Sequence, residues 1–304
     1  MKCIVIGGSG FLGGFIIDYL LEKGDDVISA DRTGNDRTDI ECIDMDVLDF
    51  EAIKKVVKGA DEVYRLAGML GTSELNELIG QAIDVNIKGS VNVFEACKQE
   101  GVQRLFYPSK PNVWLNTYTV TKECSERFAE LYNADTDLDI IRLRYFNAYG
   151  ANQHTHPIRK IVPTFAMLAR YNIPINIFGS GDNIVDMVDG RDLGKWTVEA
   201  TRNNFNDRIY DLARGVPLTV KQVANDVNTC AGSTAGLSFS PMRSGEVEDT
   251  VLVADMDPFR KKLADVGQTL EFLPWMESLQ EACDFYANIP DSVAKEALTY
   301  HKLM

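Results

Sequence analysis

A glycine-rich segment near the start of the chain constrains the fold most. Gly7-Gly8-Ser9-Gly10-Phe11-Leu12-Gly13 follows a short apolar run at residues 3–6 and opens an amphipathic stretch, Phe11–Glu22, that ends at Gly24. In a strand–turn–helix context, glycines let backbone N–H groups approach a pyrophosphate at the helix N-terminus, where the helix dipole favours negative charge. The segment therefore predicts a dinucleotide site, to which Gly7, Gly10, Phe11, Leu12 and Gly13 would contribute.

Acidic residues after this segment indicate which dinucleotide binds. Asp31 ends the second apolar run, 18 residues beyond Gly13, where a carboxylate accepts hydrogen bonds from a ribose diol and repels a 2′-phosphate. That favours NAD over NADP, although Arg32 beside it could accept the phosphate. Asp46-Val47, after a third short strand, fits either a contact with the adenine amino group or, for Asp46, the N-cap of the next helix.

The alternation of apolar runs with amphipathic stretches predicts the architecture. Runs at residues 3–6, 26–30, 62–67 and 105–107 alternate with amphipathic stretches, which indicates parallel βαβ units covered by helices on both faces. We expect an α/β fold, a Rossmann-type doubly wound parallel sheet with a smaller C-terminal substrate-binding lobe. The rhythm loosens after about Gly150, so residues 1–155 with 184–220 would form the NAD-binding domain and residues 156–183 with 221–304 the substrate-binding lobe.

Composition limits the partners. The 304-residue chain has a net charge of −14 and so no basic surface for nucleic acid or an anionic membrane. Its six cysteines include no C-x-x-C pair, and its three histidines have no completing ligand set nearby, so we expect reduced thiols and no metal site. With neither a signal-peptide pattern nor an apolar stretch of bilayer length, the protein is predicted to be cytoplasmic.

Tyr118-Thr119-Val120-Thr121-Lys122 carries the chemistry. A phenol and an ammonium four residues apart lie on one face of a helix. A nearby cation favours phenolate, so Lys122 is expected to lower the pKa of Tyr118 toward the range of an acid/base catalyst.

Ordered segments along nearly the whole chain resemble the extended short-chain dehydrogenase/reductases, especially the NAD-dependent epimerase/dehydratase family. Beyond the glycine segment these are Tyr64-Arg65-Leu66-Ala67-Gly68 (family H-L-A-A), Asn86-Ile87-Lys88-Gly89-Ser90-Val91-Asn92-Val93 (N-V-x-G-T-x-N-V), Arg142-Leu143-Arg144-Tyr145-Phe146-Asn147-Ala148-Tyr149-Gly150 (L-R-Y-F-N-V-Y-G) and Arg243-Ser244-Gly245-Glu246 (R-P-G-E/D). The resemblance implies a UDP-hexose 4-epimerase-like enzyme.

The resemblance also implies the role of each matching residue. Tyr118 would be the acid/base, and Lys122 would bind the nicotinamide ribose and tune Tyr118. Asn147 would contact the sugar nucleotide, Arg243 its phosphates and Glu246 the nucleotide ribose. Further cofactor contacts would come from Leu66, Ala67, Gly68, Asn86 and Tyr145. In the family the helices beginning near Asn86 and Tyr118 pair between subunits, so the resemblance implies a homodimer.

The segment before Tyr118 departs from the family's S-S/T-x-x-V-Y-G. Aligning Val113-Trp114 with V-Y puts Lys110 at the usual hydroxyl position and leaves Ser109, one place earlier, as the candidate third catalytic residue. Pro111-Asn112 stands where 4,6-dehydratases carry Asp-Glu, and decarboxylases usually keep a Glu where Asn112 stands. Both of those reactions are therefore disfavoured.

A second departure is Val185, which stands where the family pattern G-D-G-x-x-x-R-D-F-V has a phosphate-binding Arg. Its loss removes one charge-assisted contact, worth about 1.5–3 kcal/mol if buried. Either Arg191 or Arg159 could compensate.

Together these features predict an NAD-dependent nucleotide-sugar epimerase that acts on a UDP-hexose or similar sugar through a keto intermediate. Two alternatives stay open. One is a nucleotide-sugar dehydratase with an atypical active-site loop, in which Lys110 takes part in proton transfer. The other is a non-catalytic NAD-binding protein.

Overall fold

The structure is a computed structural model that describes residues 1–32, 34, 37–111, 113–243 and 246–304. Its strands are β1 (Lys2–Ile6), β2 (Asp26–Asp31), β3 (Glu41–Asp44), β4 (Glu62–Arg65), β5 (Arg104–Ser109), β6 (Asp139–Tyr145), β7 (Asn147–Tyr149), β8 (Ile175–Phe178), β9 (Ile184–Val185), β10 (Met187–Asp189), β11 (Ile209–Leu212), β12 (Leu218–Thr219) and β13 (Leu237–Ser240).

The α-helices are α1 (Phe11–Glu22), α2 (Phe50–Val57), α3 (Ile79–Ala82), α4 (Gly89–Glu100), α5 (Thr117–Asp135), α6 (Ile161–Arg170), α7 (Gly190–Arg202), α8 (Val220–Ala231), α9 (Asp257–Asp265), α10 (Trp275–Asn288) and α11 (Asp291–Tyr300). A 3₁₀ turn, Glu74–Glu77, precedes α3, and a π-helical turn, Ile83–Lys88, joins α3 to α4. Within the described ranges, no helix combines the length and apolarity that a membrane crossing needs.

Seven parallel strands form the large sheet, in the order β11-β6-β5-β4-β1-β2-β3. The strand order reverses between β1 and β4, and open α/β sheets bind ligands at the carboxyl ends of the strands beside such a switch point. The glycine segment follows β1 at this edge, as the sequence predicts. The expected α/β, Rossmann-type class is confirmed.

The chain divides into two compact units. The first comprises Met1–Tyr145, Arg191–Leu212 and Met256–Leu270, and the second Phe146–Gly190, Ala213–Asp255 and Glu271–Met304. This division differs from the predicted domain bounds at residues 146–155, 184–190, 213–220 and 256–270. The assignment of NAD to one part and substrate to the other stays a prediction.

Local sequence explains how the helices near the candidate site begin and end. The side chain of Asn116 caps α5 by accepting a hydrogen bond from the Thr119 N–H at 2.9 Å. Gly101 ends α4 with φ of +70°, a left-handed conformation that glycine adopts without a steric penalty. The Asn116 cap sets the start of α5, and thereby the positions of Tyr118 and Lys122 on that helix.

The second unit has its own hydrophobic core. Helices α6, α8, α10 and α11 pack around buried apolar side chains that include Phe165, Val227 and Leu279. Three small two-stranded sheets accompany them: β7 with β10 in parallel, β8 with β13 in parallel, and β9 with β12 in antiparallel. Of the predicted substrate residues, Asn147 lies in β7 and Arg243 follows β13 by three residues.

Candidate active site

The glycine segment is packed too tightly for side chains. A Cβ on Gly7 would lie 2.9 Å from Ala67 Cα, and one on Gly13 would lie 2.7 Å from Gly8 Cα. The helix α1 that follows has Gly10 at its N-cap, no side-chain cap and no acidic residue in its first turn. Its first N–H groups are therefore available to an anion, as binding of a pyrophosphate requires.

Asp31 lies beside this segment at the end of β2. Its Oδ2 accepts hydrogen bonds from the Ser9 hydroxyl and, at 3.2 Å, from the Ser9 backbone N–H, while Oδ1 accepts from the Arg32 N–H at 2.7 Å. A carboxylate next to an open helix N-terminus matches the ribose and pyrophosphate of a dinucleotide. The residues present therefore fit NAD.

The region after β3 corrects one interpretation of Asp46. The N-cap of α2 is Asp49, whose Oδ1 accepts from the Ala52 N–H at 3.0 Å. Asp46 instead accepts from the Leu48 N–H at 2.9 Å, so its interpretation as the helix N-cap is wrong. The reason is spacing, since the cap of a helix beginning at Phe50 must directly precede it. The adenine contact of Asp46 and Val47 stays a prediction.

The segment after β4 is held against the glycine segment. The N–H groups of Leu66 and Ala67 both donate to the Ile6 carbonyl, at 2.7 and 3.0 Å. The buried amide of Asn86 accepts from the Met69 N–H at 2.8 Å and donates to Thr121 Oγ1 at 3.1 Å. Asn86 thus ties this segment, which includes Gly68, to helix α5.

The side chain of Tyr145 contacts other residues of the first unit. Its hydroxyl hydrogen-bonds to that of Thr197, and its ring stacks on Phe106 with centroids 5.7 Å apart. Its predicted cofactor contact remains a prediction.

Helix α5 places Tyr118 and Lys122 one turn apart. Lys122 is 5% exposed, and its Nζ donates to the Pro108 carbonyl and lies 4.0 Å from the ring centroid of Tyr107. The Nζ of Lys110 lies 5.4 Å from the ring centroid of Tyr118. The ring of Tyr107 and the ammonium of Lys110 therefore lie close to the predicted pair.

The electrostatics differ from the expectation that Lys122 lowers the pKa of Tyr118. Burial raises the pKa of Tyr118, and Arg65 is the cation that opposes this rise. Burial lowers the pKa of Lys122 well below its usual range, with Arg65 lowering it further. The expectation counted Lys122 as a fixed charge, whereas burial favours its neutral amine. The tuning of Tyr118 by Lys122 therefore stays a prediction.

Arg65 is a site residue that sequence reasoning missed. It is 1% exposed, its Nη2 donates to the Val85 carbonyl at 3.0 Å, and its guanidinium carbon lies 5.7 Å from the Tyr107 ring centroid. Its Nε has no hydrogen-bond partner among the described residues. A cationic residue directly after the apolar pair Val63-Tyr64, at the carboxyl end of β4, was the signal that could have revealed it.

Ser109 faces a second residue that was missed. The Ser109 hydroxyl donates to Glu126 Oε1 at 2.5 Å, with both side chains buried. Glu126 follows Lys122 by four residues, so the helical period places it on the same face of α5. The hydroxyl of Ser109 is therefore oriented by a carboxylate.

Lys110, which the sequence pattern predicts at the family's usual hydroxyl position, is held by two hydrogen bonds. Its Nζ donates to the Pro111 carbonyl at 2.7 Å and to Thr119 Oγ1 at 2.9 Å. Burial lowers the pKa of Lys110 to about 8, against opposing effects of Glu126 and Glu123. Its neighbour Asn112, relevant to the dehydratase and decarboxylase patterns, lies outside the described residues.

The predicted substrate residues belong to the second unit. The Asn147 N–H donates to the Asp186 carbonyl at 3.1 Å. Arg243 forms an ion pair with Glu246, and their side chains are 33% and 11% exposed. Ser244 and Gly245 between them lie outside the described residues. Val185, in β9, is packed in the apolar core.

A parallel sheet with this glycine segment and Asp31 is typical of dinucleotide-binding proteins. The chain belongs to the NAD-dependent epimerase/dehydratase family, whose model matches residues 3–113 and 108–213. NAD is the cofactor of that family, in agreement with the fit described above.

Individual relatives are distant but cover nearly the whole chain. A UDP-N-acetyl-alpha-D-glucosaminuronate decarboxylase of Bacillus cytotoxicus is 22% identical, over 95% of this chain and 98% of its own. A UDP-glucose 4-epimerase of Mycolicibacterium smegmatis is 21% identical, over 95% and 99%. The solved structure of the Thermus thermophilus UDP-glucose 4-epimerase complex with NAD superposes with a TM-score of 0.81 at 23% identity, over 95% and 100%.

Proposed function

We propose that this protein is an NAD-dependent nucleotide-sugar epimerase that acts on a UDP-hexose or a similar sugar through a keto intermediate. The observation that carries the proposal is the placement of Tyr118 and Lys122 on one face of α5, in the unit that also holds the glycine segment. The paired Asp-Glu that dehydratases use is replaced by Pro111-Asn112. Proton transfer by Tyr118 is thereby favoured over elimination of water.

When bound by the glycine segment and Asp31, NAD⁺ would supply the hydride chemistry of the proposed reaction. Tyr118 takes the proton of the sugar hydroxyl and gives it back after the keto sugar has turned. Arg65 stabilises the phenolate of Tyr118, because it is the cation that lowers the pKa of that group. Lys122 donates hydrogen bonds from a site where its charge is disfavoured by burial.

In this proposal, Ser109 and Lys110 together replace the hydroxyl group that the family usually has in this segment. Glu126 holds the Ser109 hydroxyl in place through their hydrogen bond. Lys110, with a pKa of about 8, can gain or lose a proton near neutral pH and stands beside the Tyr118 ring. A group that exchanges its proton beside the acid/base is suited to the proton transfers of epimerisation.

The substrate class is proposed from the relatives. The decarboxylase and the epimerases named above all have UDP-sugars in their names. In this chain, Arg243 and Glu246 offer a forked donor for phosphate oxygens and a carboxylate for a ribose diol.

A dehydratase is the second candidate, and Lys110 is the observation that favours it. A lysine that titrates near neutral pH could replace one of the missing carboxyl groups in proton transfer. Elimination would lower the product mass by one water, whereas epimerisation leaves the mass unchanged. Mass spectrometry of the sugar product separates the two.

The direct test is incubation with UDP-glucose, UDP-N-acetylglucosamine and UDP-glucuronate, with NMR of the sugar protons. We expect inversion at one carbon without added cofactor reductant. If the sugar is unchanged across the panel, the epimerase assignment is wrong. If, in addition, NAD binds and Tyr118→Phe matches the wild type in every assay, the non-catalytic alternative holds.

We also propose a homodimer. Helix α5, which the resemblance places between subunits, exposes Val120 and Leu131 at 49% and 51%. Apolar side chains on a surface helix are typical of an interface. Light scattering of the purified protein tests this, and a monomeric mass at micromolar concentration would contradict it.

A further inference from the structure

Two arginines of the second unit lie against one aromatic ring. The guanidinium carbon of Arg159 is 4.6 Å from the ring centroid of Phe178, and that of Arg243 is 5.1 Å from the same centroid. Phe178 ends strand β8, and Arg159 lies two residues before helix α6. Two arginines from segments that are distant in sequence therefore lie close to the same ring.

The charge of one carboxylate, that of Glu246, acts on both arginines. Glu246 forms the ion pair with Arg243, whereas the hydrogen bond that the structure describes for Arg159 runs from Nη2 to the Asn176 carbonyl at 2.7 Å. Burial lowers the pKa of Arg159 to about 10, and Arg243 lowers it further while Glu246 opposes the shift. Two guanidiniums kept this close in a partly buried site are stabilised when an anion binds between their donors.

The family pattern has its phosphate-binding arginine at the position of Val185. Here that position is 7% exposed and lies in the apolar core beside Ile177, so it supplies no cation. Of the two candidates that the sequence left open, Arg191 belongs to the first unit and Arg159 to the unit that contains Arg243. The shared ring of Phe178 singles out Arg159.

We propose that Arg159 takes over the phosphate-binding role lost at Val185, so that Arg159 and Arg243 together bind the diphosphate of the nucleotide sugar. The inference rests on the proposed function and adds a binding residue outside the family's motifs. Both guanidiniums lie close to the Phe178 ring. The bonds that the structure describes use Nη2 of Arg159 and both Nε and Nη2 of Arg243, and the other N–H donors of the two side chains would contact phosphate oxygens. Helix α6, with no acidic residue in its first turn, adds the positive end of its dipole close to Arg159.

The test measures which part of the nucleotide Arg159 recognises. Isothermal titration calorimetry first identifies the nucleoside diphosphate that the wild type binds best among UDP, dTDP and GDP. The nucleoside, its monophosphate and its diphosphate are then titrated into wild type and Arg159→Met. We expect the diphosphate to bind roughly 10- to 100-fold more weakly to the variant, and the nucleoside to bind equally to both.

A matched control removes a different arginine from an aromatic ring. Arg208 lies 5.7 Å from the ring centroid of Tyr210 in the first unit, and Arg208→Met should leave the affinity for all three ligands unchanged. The conservative variant R159K keeps the positive charge without the planar fork. We expect it to retain more of the diphosphate affinity than Arg159→Met, which a merely structural role of Arg159 would not predict.

Several outcomes would overturn the inference. If Arg159→Met binds the diphosphate like the wild type, Arg159 does not contact phosphate, while the proposed function stands. If the nucleoside is weakened as much as the diphosphate, Arg159 only supports the pocket. If the wild type binds none of the three diphosphates, both this inference and the proposed function are wrong. If R159K binds the diphosphate no better than Arg159→Met, the charge of Arg159 does not act on phosphate and the inference is wrong.

Discussion

At two sites of this molecule, cationic side chains lie close to aromatic rings. The two sites differ in the kind of cation that they contain. The tyrosine site, in the first unit, contains Tyr118, Tyr107, Ser109, Lys110, Lys122, Arg65 and Glu126. The arginine site, in the second unit, contains Arg159, Arg243, Phe178 and Glu246. In the tyrosine site, burial lowers the pKa values of Lys110 and Lys122, so protons can move between its groups. Guanidiniums keep their charge, so the arginine site is suited to binding an anion.

The largest effect should follow from removing the phenol of the tyrosine site. Tyr118→Phe is expected to lower kcat for epimerisation about 10²- to 10⁴-fold, because the acid/base is lost. Affinity for the nucleoside diphosphate should not change, since the arginine site is intact. Steady-state kinetics and calorimetry on one preparation measure both.

The control for that variant lies on the same helix. Tyr132 donates its hydroxyl to Glu95 at 2.9 Å, and Tyr132→Phe should retain kcat within about threefold. Equal losses in the two variants would mean that Tyr118 acts through folding rather than chemistry.

Sequence reasoning predicted the features that depend on local pattern. The glycine segment, the alternation of strands and helices around it and the placement of Tyr118 and Lys122 one turn apart follow from short-range rules of turns and helices. The cap at Asp49 is local too, but it depends on the residue at which α2 begins, which the sequence pattern did not define. The hydrogen bond between Ser109 and Glu126 and the sharing of Phe178 by two arginines depend on long-range packing. A pKa depends on burial and on every neighbouring charge, which is why the effect of Arg65 on Tyr118 was not predicted.

A pair of neighbouring glycines should separate cofactor binding from nucleotide-sugar binding. Gly13→Ala introduces a Cβ that would lie 2.7 Å from Gly8 Cα, whereas a Cβ on Gly14 meets nothing within 4 Å. We expect Gly13→Ala to weaken NAD binding more than about tenfold, because the backbone must shift from the pyrophosphate. Its affinity for the nucleoside diphosphate should be unchanged.

Gly14→Ala serves as the matched variant. Alanine is the better helix former by about 0.5–1 kcal/mol, so this variant should bind NAD normally and melt at the same or a higher temperature. Cofactor fluorescence titration and thermal melting measure the two quantities. NAD binding by Gly13→Ala equal to that of Gly14→Ala would show that the segment does not contact the cofactor.

The charge of Arg65 should set the pH dependence of the tyrosine site. Arg65 lowers the pKa of Tyr118, so Arg65→Met raises that pKa and should move the acidic limb of the kcat/KM profile to higher pH. The arginine site predicts no such shift for Arg159→Met, which should change KM at all pH values alike.

The control for Arg65→Met is Arg104→Met. Arg104 begins β5, whereas Ser109 of the tyrosine site ends it. Arg104 pairs with the buried Glu62 at 3.1 Å, so its loss destabilises the fold without changing the charge near Tyr118. An unmoved limb in Arg65→Met, or the same movement in Arg104→Met, would remove Arg65 from the site.

The smallest effect concerns stability. The pKa of Lys110 is about 8 in the folded protein and 10.5 ordinarily, so the fold disfavours its ammonium below pH 8. Stability of the wild type relative to Lys110→Met should therefore rise between about pH 8 and 10.5 and stay constant below that window. Urea unfolding across this range measures it, and a constant difference would show that Lys110 titrates normally.

The most direct test of the account follows the hydride itself. UDP-glucose carrying deuterium at the carbon that inverts is incubated with the wild type in ordinary water, and the products are read by NMR and mass spectrometry. The account predicts an epimer of unchanged mass that keeps its deuterium at the same carbon, because the hydride returns from the bound cofactor without exchange. A product lighter by one water, or an epimer that has exchanged its deuterium for solvent hydrogen, would contradict it.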